Sequence, residues 1–251
     1  MIITILGSGT STGVPMVGCH CRVCGSDDPR DNRTRASILV QSGAQYILVD
    51  TCTDFRRQAL REGLPRVDAV LFTHTHADHI NGIDDLRGFH FLHRKLIPCY
   101  GSADTLQKVR ATFNYIFDDL TSEGYSPLLE AFPIETALDL FGCHIVPIPL
   151  NHGAYPATGY RFDNAAYLTD CSSIPDRSME LLQGLDLLVI DALRYTPHPN
   201  HFNVEGALQV IEKLRPRRAL LTHLTHEVLH ADGERLPQGV EFAYDGMRIE
   251  L

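Results

Sequence analysis

His74, His76, Asp78 and His79 put four potential metal ligands within six residues, in Thr73-His74-Thr75-His76-Ala77-Asp78-His79. They directly follow the apolar run Val67 to Phe72, which reads as a buried strand. Side chains alternate faces in an extended chain, so His74 and His76 point the same way and can share one ion. Asp78 and His79 are adjacent and diverge as the next element starts, which suits a second ion beside the first. Imidazole with carboxylate suits zinc, manganese or iron, and the residues alone leave that choice open. Without a cation to pair them, so many titrating groups at one strand end would be costly.

His74-x-His76-x-Asp78-His79 behind an apolar strand resembles the signature of the metallo-β-lactamase superfamily. That resemblance implies a dinuclear site in an αββα sandwich, two mixed sheets with helices outside. It also implies three further ligands: His152 in Pro149-Leu150-Asn151-His152-Gly153, a bridging Asp170 in Tyr167-Leu168-Thr169-Asp170, and His223 in Leu220-Leu221-Thr222-His223. Each follows an apolar run, so each belongs at a strand's end. Asp50 resembles a family position that braces the ligand loop by a hydrogen bond to a ligand histidine, with a plain loop-capping aspartate as the other reading.

A second cluster lies in Cys19-His20-Cys21-Arg22-Val23-Cys24, three thiols in the pattern C-x-C-x-x-C. Tetrahedral zinc needs one more ligand. His226 is the best candidate, three residues past His223 in His223-Leu224-Thr225-His226, with His20 and His230 as alternatives. Together with the opening Gly7-Ser8-Gly9, this more narrowly resembles the PhnP-type phosphodiesterases associated with carbon-phosphorus lyase pathways. The resemblance implies one structural zinc in a loop of about residues 15–30, and a homodimer. Of the 7 Cys, Cys52, Cys99, Cys143 and Cys171 are scattered and read as core.

The elements that must hold these groups read as strand and helix in βαβ succession. Strands are expected at Ile2 to Leu6, at Ser37 to Gln41 with Gln45 to Asp50 as a hairpin, and at Cys143 to Leu150, Ala157 to Phe162, Ala165 to Thr169, Asp186 to Asp191 and Arg218 to Thr222. Helices are expected over Thr53 to Glu62, capped by Thr53, near Pro175 to Gln183, and over Val204 to Leu214, capped by Asn203. Glu241 to Leu251 reads as a closing hairpin turned at Asp245-Gly246. The stretch from Ile83 to Phe132 departs from this alternation and carries Phe89, Phe91, Tyr100, Phe113, Tyr115, Phe117, Tyr125 and Phe132. Those rings read as core, or as a pocket wall or dimer contact. His90 and His93, three apart on a helix, find nothing nearby to complete a metal site. No linker separates domains, so residues 1–251 read as one large α/β domain.

With 44% hydrophobic and 21% charged residues the chain can build a sizeable core. Its net charge of −9 argues against sequence-independent binding of duplex nucleic acid. Two divalent ions would nonetheless leave the site itself positive against Asp78 and Asp170, and attractive to a small anion. The start Met1-Ile2-Ile3-Thr4-Ile5-Leu6 lacks a basic leader, no run approaches the ~20 apolar residues of a membrane span, and a cytoplasmic protein is expected. Thiols there favour metal over disulfides.

Two divalent ions, zinc or manganese, would activate water near neutral pH and bind phosphoryl oxygens. The resemblance carried by the cysteine loop and the His201 segment implies hydrolysis of small anionic phosphodiesters, cyclic phosphates or nucleotide-like esters. Asp78 and His201 are the candidate catalytic residues. His201, in His198-Pro199-Asn200-His201-Phe202-Asn203, resembles the position of the acid that protonates the departing alkoxide, and His198 is the alternative. Arg33 and Arg35 read as a phosphate clamp or as a solvated charged loop. Thioester or lactam hydrolysis is the competing activity on the same site. Processing of tRNA 3′ ends would want a basic arm that the sequence lacks, and a noncatalytic scaffold has little reason to carry every ligand. Gly7 to Pro15 fails the dinucleotide-binding pattern, since Thr12 stands where a glycine is needed.

Overall fold

The computed structural model describes residues 1–118 and 128–251. Its strands, numbered along the chain, form two sheets. The first runs β14 (Arg248–Glu250), β1 (Ile2–Gly7), β2 (Ser37–Ser42), β3 (Gln45–Val49), β4 (Ala69–Leu71), β5 (Ile97–Gly101) and β6 (Leu129–Pro133). The second runs β13 (Val240–Phe242), β12 (Arg218–Thr222), β11 (Leu187–Asp191), β10 (Ala165–Leu168), β9 (Tyr155–Phe162), β8 (Cys143–His152) and β7 (Leu138–Leu140). Both are mixed: β3 to β6 pair in parallel, as do β10 to β13, while β1 to β3 and β7 to β10 pair antiparallel.

The alternation of each strand distributes its side chains between two layers. Ile47 and Val49 face the second sheet and meet Tyr160, Val189 and Leu220 in a shared inter-sheet core, whereas Leu48 points outward. The outward face of the first sheet is covered by α1 (Phe55–Glu62), α3 (Leu86–His93), α4 (Ala103–Thr112) and α5 (Asn114–Phe117). Leu188 and Ile190 face the other way, under α6 (Asp176–Leu181) and α7 (Val204–Leu214). The order is helix, sheet, sheet, helix: the αββα sandwich. The α7 stripe Val204, Ala207, Val210 and Leu214 is spaced to bury one helical face. Asn203 starts it by accepting a hydrogen bond from the Gly206 N–H at 3.0 Å.

Two local expectations differ from the structure. Thr53 does not cap α1; Asp54 occupies that place, and its carboxylate is turned instead to Arg35. The tail is not a hairpin: β13 joins the second sheet beside β12 and β14 joins the first beside β1. The Asp245 carboxylate, accepting from Ser8 and Thr34, anchors the connecting turn to the first sheet, so the chain crosses between sheets there. In the aromatic stretch, Phe89, Phe113, Tyr115 and Phe117 pack into the outer layer of the first sheet, and Tyr100 stacks on Phe132 at 5.6 Å. Phe91 is exposed, and Tyr125 lies outside the described residues. Among the described residues no helix is long and apolar enough to cross a membrane.

Candidate metal-binding active site

The functional side chains gather where strands of both sheets end at one rim of the sandwich. His74 and His76 follow β4, and Asp78 and His79 sit on α2 (Ala77–Ile80). His152 ends β8, while Asp170 and His223 lie just past β10 and β12. Asp50, Asp170 and His223 adopt left-handed backbone, with φ of 62°, 53° and 61°. Such φ values in residues other than glycine are uncommon and concentrate at functional sites. Here the turned backbone ends each strand and presents its side chain at the rim.

Asp170 is the hub. Its carboxylate lies 3.1 Å from His79 Nε2, 3.4 Å from His223 Nε2, 3.9 Å from His74 Nε2 and 4.0 Å from His152 Nε2. Three overlapping groups of ligand atoms share this corner: His74, His76, His152 and Asp170 on one side, Asp78, His79 and His223 on the other, and Asp170, His201 and His223 between them. Asp78 Oδ2 is 3.4 Å from His79 Nε2 and 3.8 Å from His223 Nε2.

Hydrogen bonds behind the rings aim the ligating atoms. His79 Nδ1 donates to Asp50 Oδ2 at 2.7 Å, and Asp50 also accepts from the Thr73 N–H and hydroxyl. With that hydroxyl committed, His74 Nδ1 donates to Thr73 Oγ1 at 2.9 Å, and His152 Nδ1 donates to the Asn200 carbonyl at 2.8 Å. Each ring thus turns Nε2 toward Asp170. His74 Nε2, His79 Nε2 and both nitrogens of His223 are buried without a hydrogen-bond partner. Unpartnered buried nitrogens converging on buried carboxylates are what a pair of divalent cations would satisfy, so these residues fit such ions.

The titration behaviour fits as well. Burial opposes the charge on Asp170, yet His223, His79 and His74 hold it well below the usual carboxylate range. Burial would lower His79, but Asp170 and Asp50 raise it well above the usual imidazole value. His223 goes the same way, to about 9, with Asp170 overriding its burial. His74, buried and beside His79, is pushed well down. The carboxylates therefore demand positive charge at this corner, and protons on His79 and His223 compete with any cation for it.

His201 stands beside this cluster, its ring 4.9 Å from that of His223 and 4.7 Å from that of His152. Its Nδ1 donates to Asp191 Oδ2 at 2.7 Å. Asp191 is fully buried, ends β11, and accepts a second hydrogen bond from the Cys171 N–H at 2.9 Å. The sequence reading assigned Asp191 no role. It nevertheless closes Leu188-Val189-Ile190-Asp191 just as Asp50 closes Ile47-Leu48-Val49-Asp50, and that pattern was the available signal. His198 lies farther out, its ring 5.1 Å from His201, with Nδ1 accepting from the Asn200 N–H.

At the second cluster, Cys19, Cys21, Cys24 and His226 come together with ligand atoms mutually within 4.8 Å. His226 Nδ1 is 3.3 Å from both Cys19 Sγ and Cys21 Sγ. His20 and His230 are not in the group; the His230 N–H is tied to Asp31. Burial lifts the Cys24 thiol to about 11, while hydrogen bonds from the Cys24 N–H and His226 draw Cys21 down to about 6. Cys52, Cys99, Cys143 and Cys171 are buried free thiols.

Arg33 and Arg35 fill neither expected role. Arg33 is buried, paired with Asp31 at 2.9 Å, and donates to the Thr225 and Val228 carbonyls, fastening the cysteine loop to the His226 segment. Arg35 pairs with Asp54 at 3.0 Å and donates to the Ser11 carbonyl. His90 and His93 are bound to the carbonyls of Lys95 and Pro65, away from the cluster.

Residues 45–224 match the model of the β-lactamase superfamily domain. The crystal structure of a diphosphatase from the PhnP family shares 43% identity, covers 100% of this chain with 97% of its own, and superposes with a TM-score of 0.93. Zinc-bound PqqB from Methylobacterium extorquens shares the fold, with a TM-score of 0.80 at 18% identity and full coverage of both chains. A Porphyromonas gingivalis protein named octanoyltransferase is 40% identical over 97% of this chain, which spans only 50% of that protein's length. By the span of the family model and the extent of its likeness to the PhnP-family enzyme, the chain belongs to the metallo-β-lactamase superfamily and, within it, to the PhnP family.

Proposed function

We propose that this protein hydrolyses small phosphodiesters with a pair of divalent cations, zinc or manganese, held by His74, His76, His152 and Asp170 on one side and by Asp78, His79, His223 and the shared Asp170 on the other. The observation that carries the reading is the His201–Asp191 pair set beside the Asp170 hub. When bound, the cations polarise phosphoryl oxygens and lower the pKa of a water to about 7.

The protein's residues do the rest. Asp170, placed between the two ligand groups, holds both halves of the site in register. Asp191 accepts from Nδ1 of His201, fixing the ring so that Nε2 carries the mobile proton. Water loses one proton to solvent as its oxygen bonds to phosphorus, the ester P–O bond breaks, and His201 protonates the departing alkoxide and then regains a proton from solvent. A monoester and an alcohol result. Asp50 keeps His79 aimed through chemistry and release. Cys19, Cys21, Cys24 and His226 hold one structural zinc and take no part in the reaction. The likeness to a PhnP-family diphosphatase supports hydrolysis at phosphorus, and the choice of a diester over a diphosphate is this reading's own. The small anionic substrate, a cytoplasmic location and a homodimer belong to this reading.

A second reading is thioester hydrolysis, favoured by the match to half of a protein named octanoyltransferase. The two separate in one assay: protein stripped and reloaded with zinc or manganese is given bis(p-nitrophenyl) phosphate beside an octanoyl thioester. Diester turnover that disappears on stripping is expected. Thioester turnover with a silent diester would overturn the first reading and install the second.

A further inference from the structure

We propose that Tyr155 is a specificity-determining residue, a stacking platform for a planar ring on the substrate, so that the preferred diester carries a nucleobase or an aryl group. The proposal rests on the phosphodiesterase reading. Tyr155 opens β9 directly opposite His152 in the antiparallel β8–β9 ladder. Directly opposed residues share a face of the ribbon, so the register that aims His152 at the Asp170 hub sets the Tyr155 ring over the same corner. That ring lies 6.3 Å from the ring of His76, the exposed member of the ligand set.

Three observations separate Tyr155 from an ordinary surface tyrosine. The residue is 64% exposed although it adjoins a ligand, and its hydroxyl enters no hydrogen bond among the described residues. The other exposed tyrosine among the described residues, Tyr195, is turned to Asp232 at 3.4 Å. The hairpin beneath Tyr155 is also clamped: the Gly153 N–H donates to Ser172 Oγ at 3.0 Å, and His152 is tied to the Asn200 carbonyl. At Gly153, with φ +60°, a Cβ would meet Asn200 Oδ1 at 2.1 Å, so the turn fits closely against the segment bearing His201. An aromatic face on a rigid mount loses little freedom on binding, and stacking accepts any base because every base has a π-face.

The test compares 2′,3′-cyclic AMP with glycerol 1,2-cyclic phosphate, which lacks a ring to stack, on metal-loaded wild type, Tyr155→Ala and Tyr155→Phe. Phosphorus NMR reads turnover, and calorimetry of AMP against glycerol phosphate reads binding without chemistry. The expected result is a KM about tenfold higher for the cyclic nucleotide in Tyr155→Ala, with kcat kept, the glycerol ester unchanged, and Tyr155→Phe close to wild type. Equal effects on both esters, or none on either, would overturn the role of Tyr155 and leave the diesterase reading standing. No turnover of either ester by the wild type would overturn both.

Discussion

Replacing Asp191 with asparagine isolates what a buried charge contributes to proton delivery. The asparagine amide oxygen can keep both contacts that Oδ2 makes, to His201 Nδ1 at 2.7 Å and to the Cys171 N–H at 2.9 Å. Its NH2 then takes the place of Oδ1, which has no hydrogen-bond partner and lies 4.0 Å from His223 Nδ1. What is lost is the negative charge. A charge-assisted hydrogen bond contributes about 1.5–3 kcal/mol and a neutral one about 0.5–1.5, so the difference is about 1–1.5 kcal/mol. That is about a tenfold loss of rate if the charge acts through the proton given to the leaving group. The leaving group supplies the control. A diester releasing an alkoxide should slow about tenfold, whereas one releasing p-nitrophenolate, which needs no proton, should change less than twofold. His201→Ala should show the same split on a larger scale, about a hundredfold or more for the alkoxide. Equal losses with both leaving groups, or a fall in bound metal by elemental analysis, would refute the reasoning and make Asp191 a support of His223 instead.

Asp50→Ala removes the partner of His79 and should weaken metal binding about 10- to 100-fold, read by competition with a calibrated chelator while circular dichroism reports the fold; an unchanged affinity would show that the brace is dispensable. Metal uptake should be proton-linked. With His223 raised to about 9 and His79 raised as well, a proton must leave each ring before it ligates, so affinity should climb as pH rises from 6 toward 9 and calorimetry in buffers of different ionisation enthalpy should detect proton release. In stripped protein the Cys21 thiol, drawn down to about 6, is ionised at pH 7, whereas burial keeps Cys52 and Cys99 up at about 12. Iodoacetamide at that pH should label Cys21 first by mass spectrometry, and prior zinc should protect it; uniform labelling would contradict this.

How much of this was readable in the sequence follows the range of the interactions. The cluster at His74 to His79 is local, and the strand before it and the turn after it fix its geometry within a few residues. His152, Asp170 and His223 could be placed at strand ends through family likeness, and the structure brings them to the same corner. Asp191 carried the same strand-ending pattern as Asp50, but its value depends on His201 meeting it across the 191–201 loop. Arg33 was opaque for a stronger reason: its burial depends on carbonyls of Thr225 and Val228 almost two hundred residues away. The tail misled because Asp245-Gly246 has good turn chemistry, and only contact with Ser8 and Thr34 sends its two strands to different sheets.

The cysteine loop and His226 stand at opposite ends of the sequence, 205 positions apart for Cys21. A metal gripping both converts the polypeptide between them into a ring. For an open chain, bringing together points so far apart costs about 5 kcal/mol of conformational freedom, a figure that grows only logarithmically with ring size. A single ion there would restrict the unfolded ensemble of nearly the entire molecule, and a chelator acting on it would loosen the whole polymer, the active-site rim included, without touching His74 or Asp170.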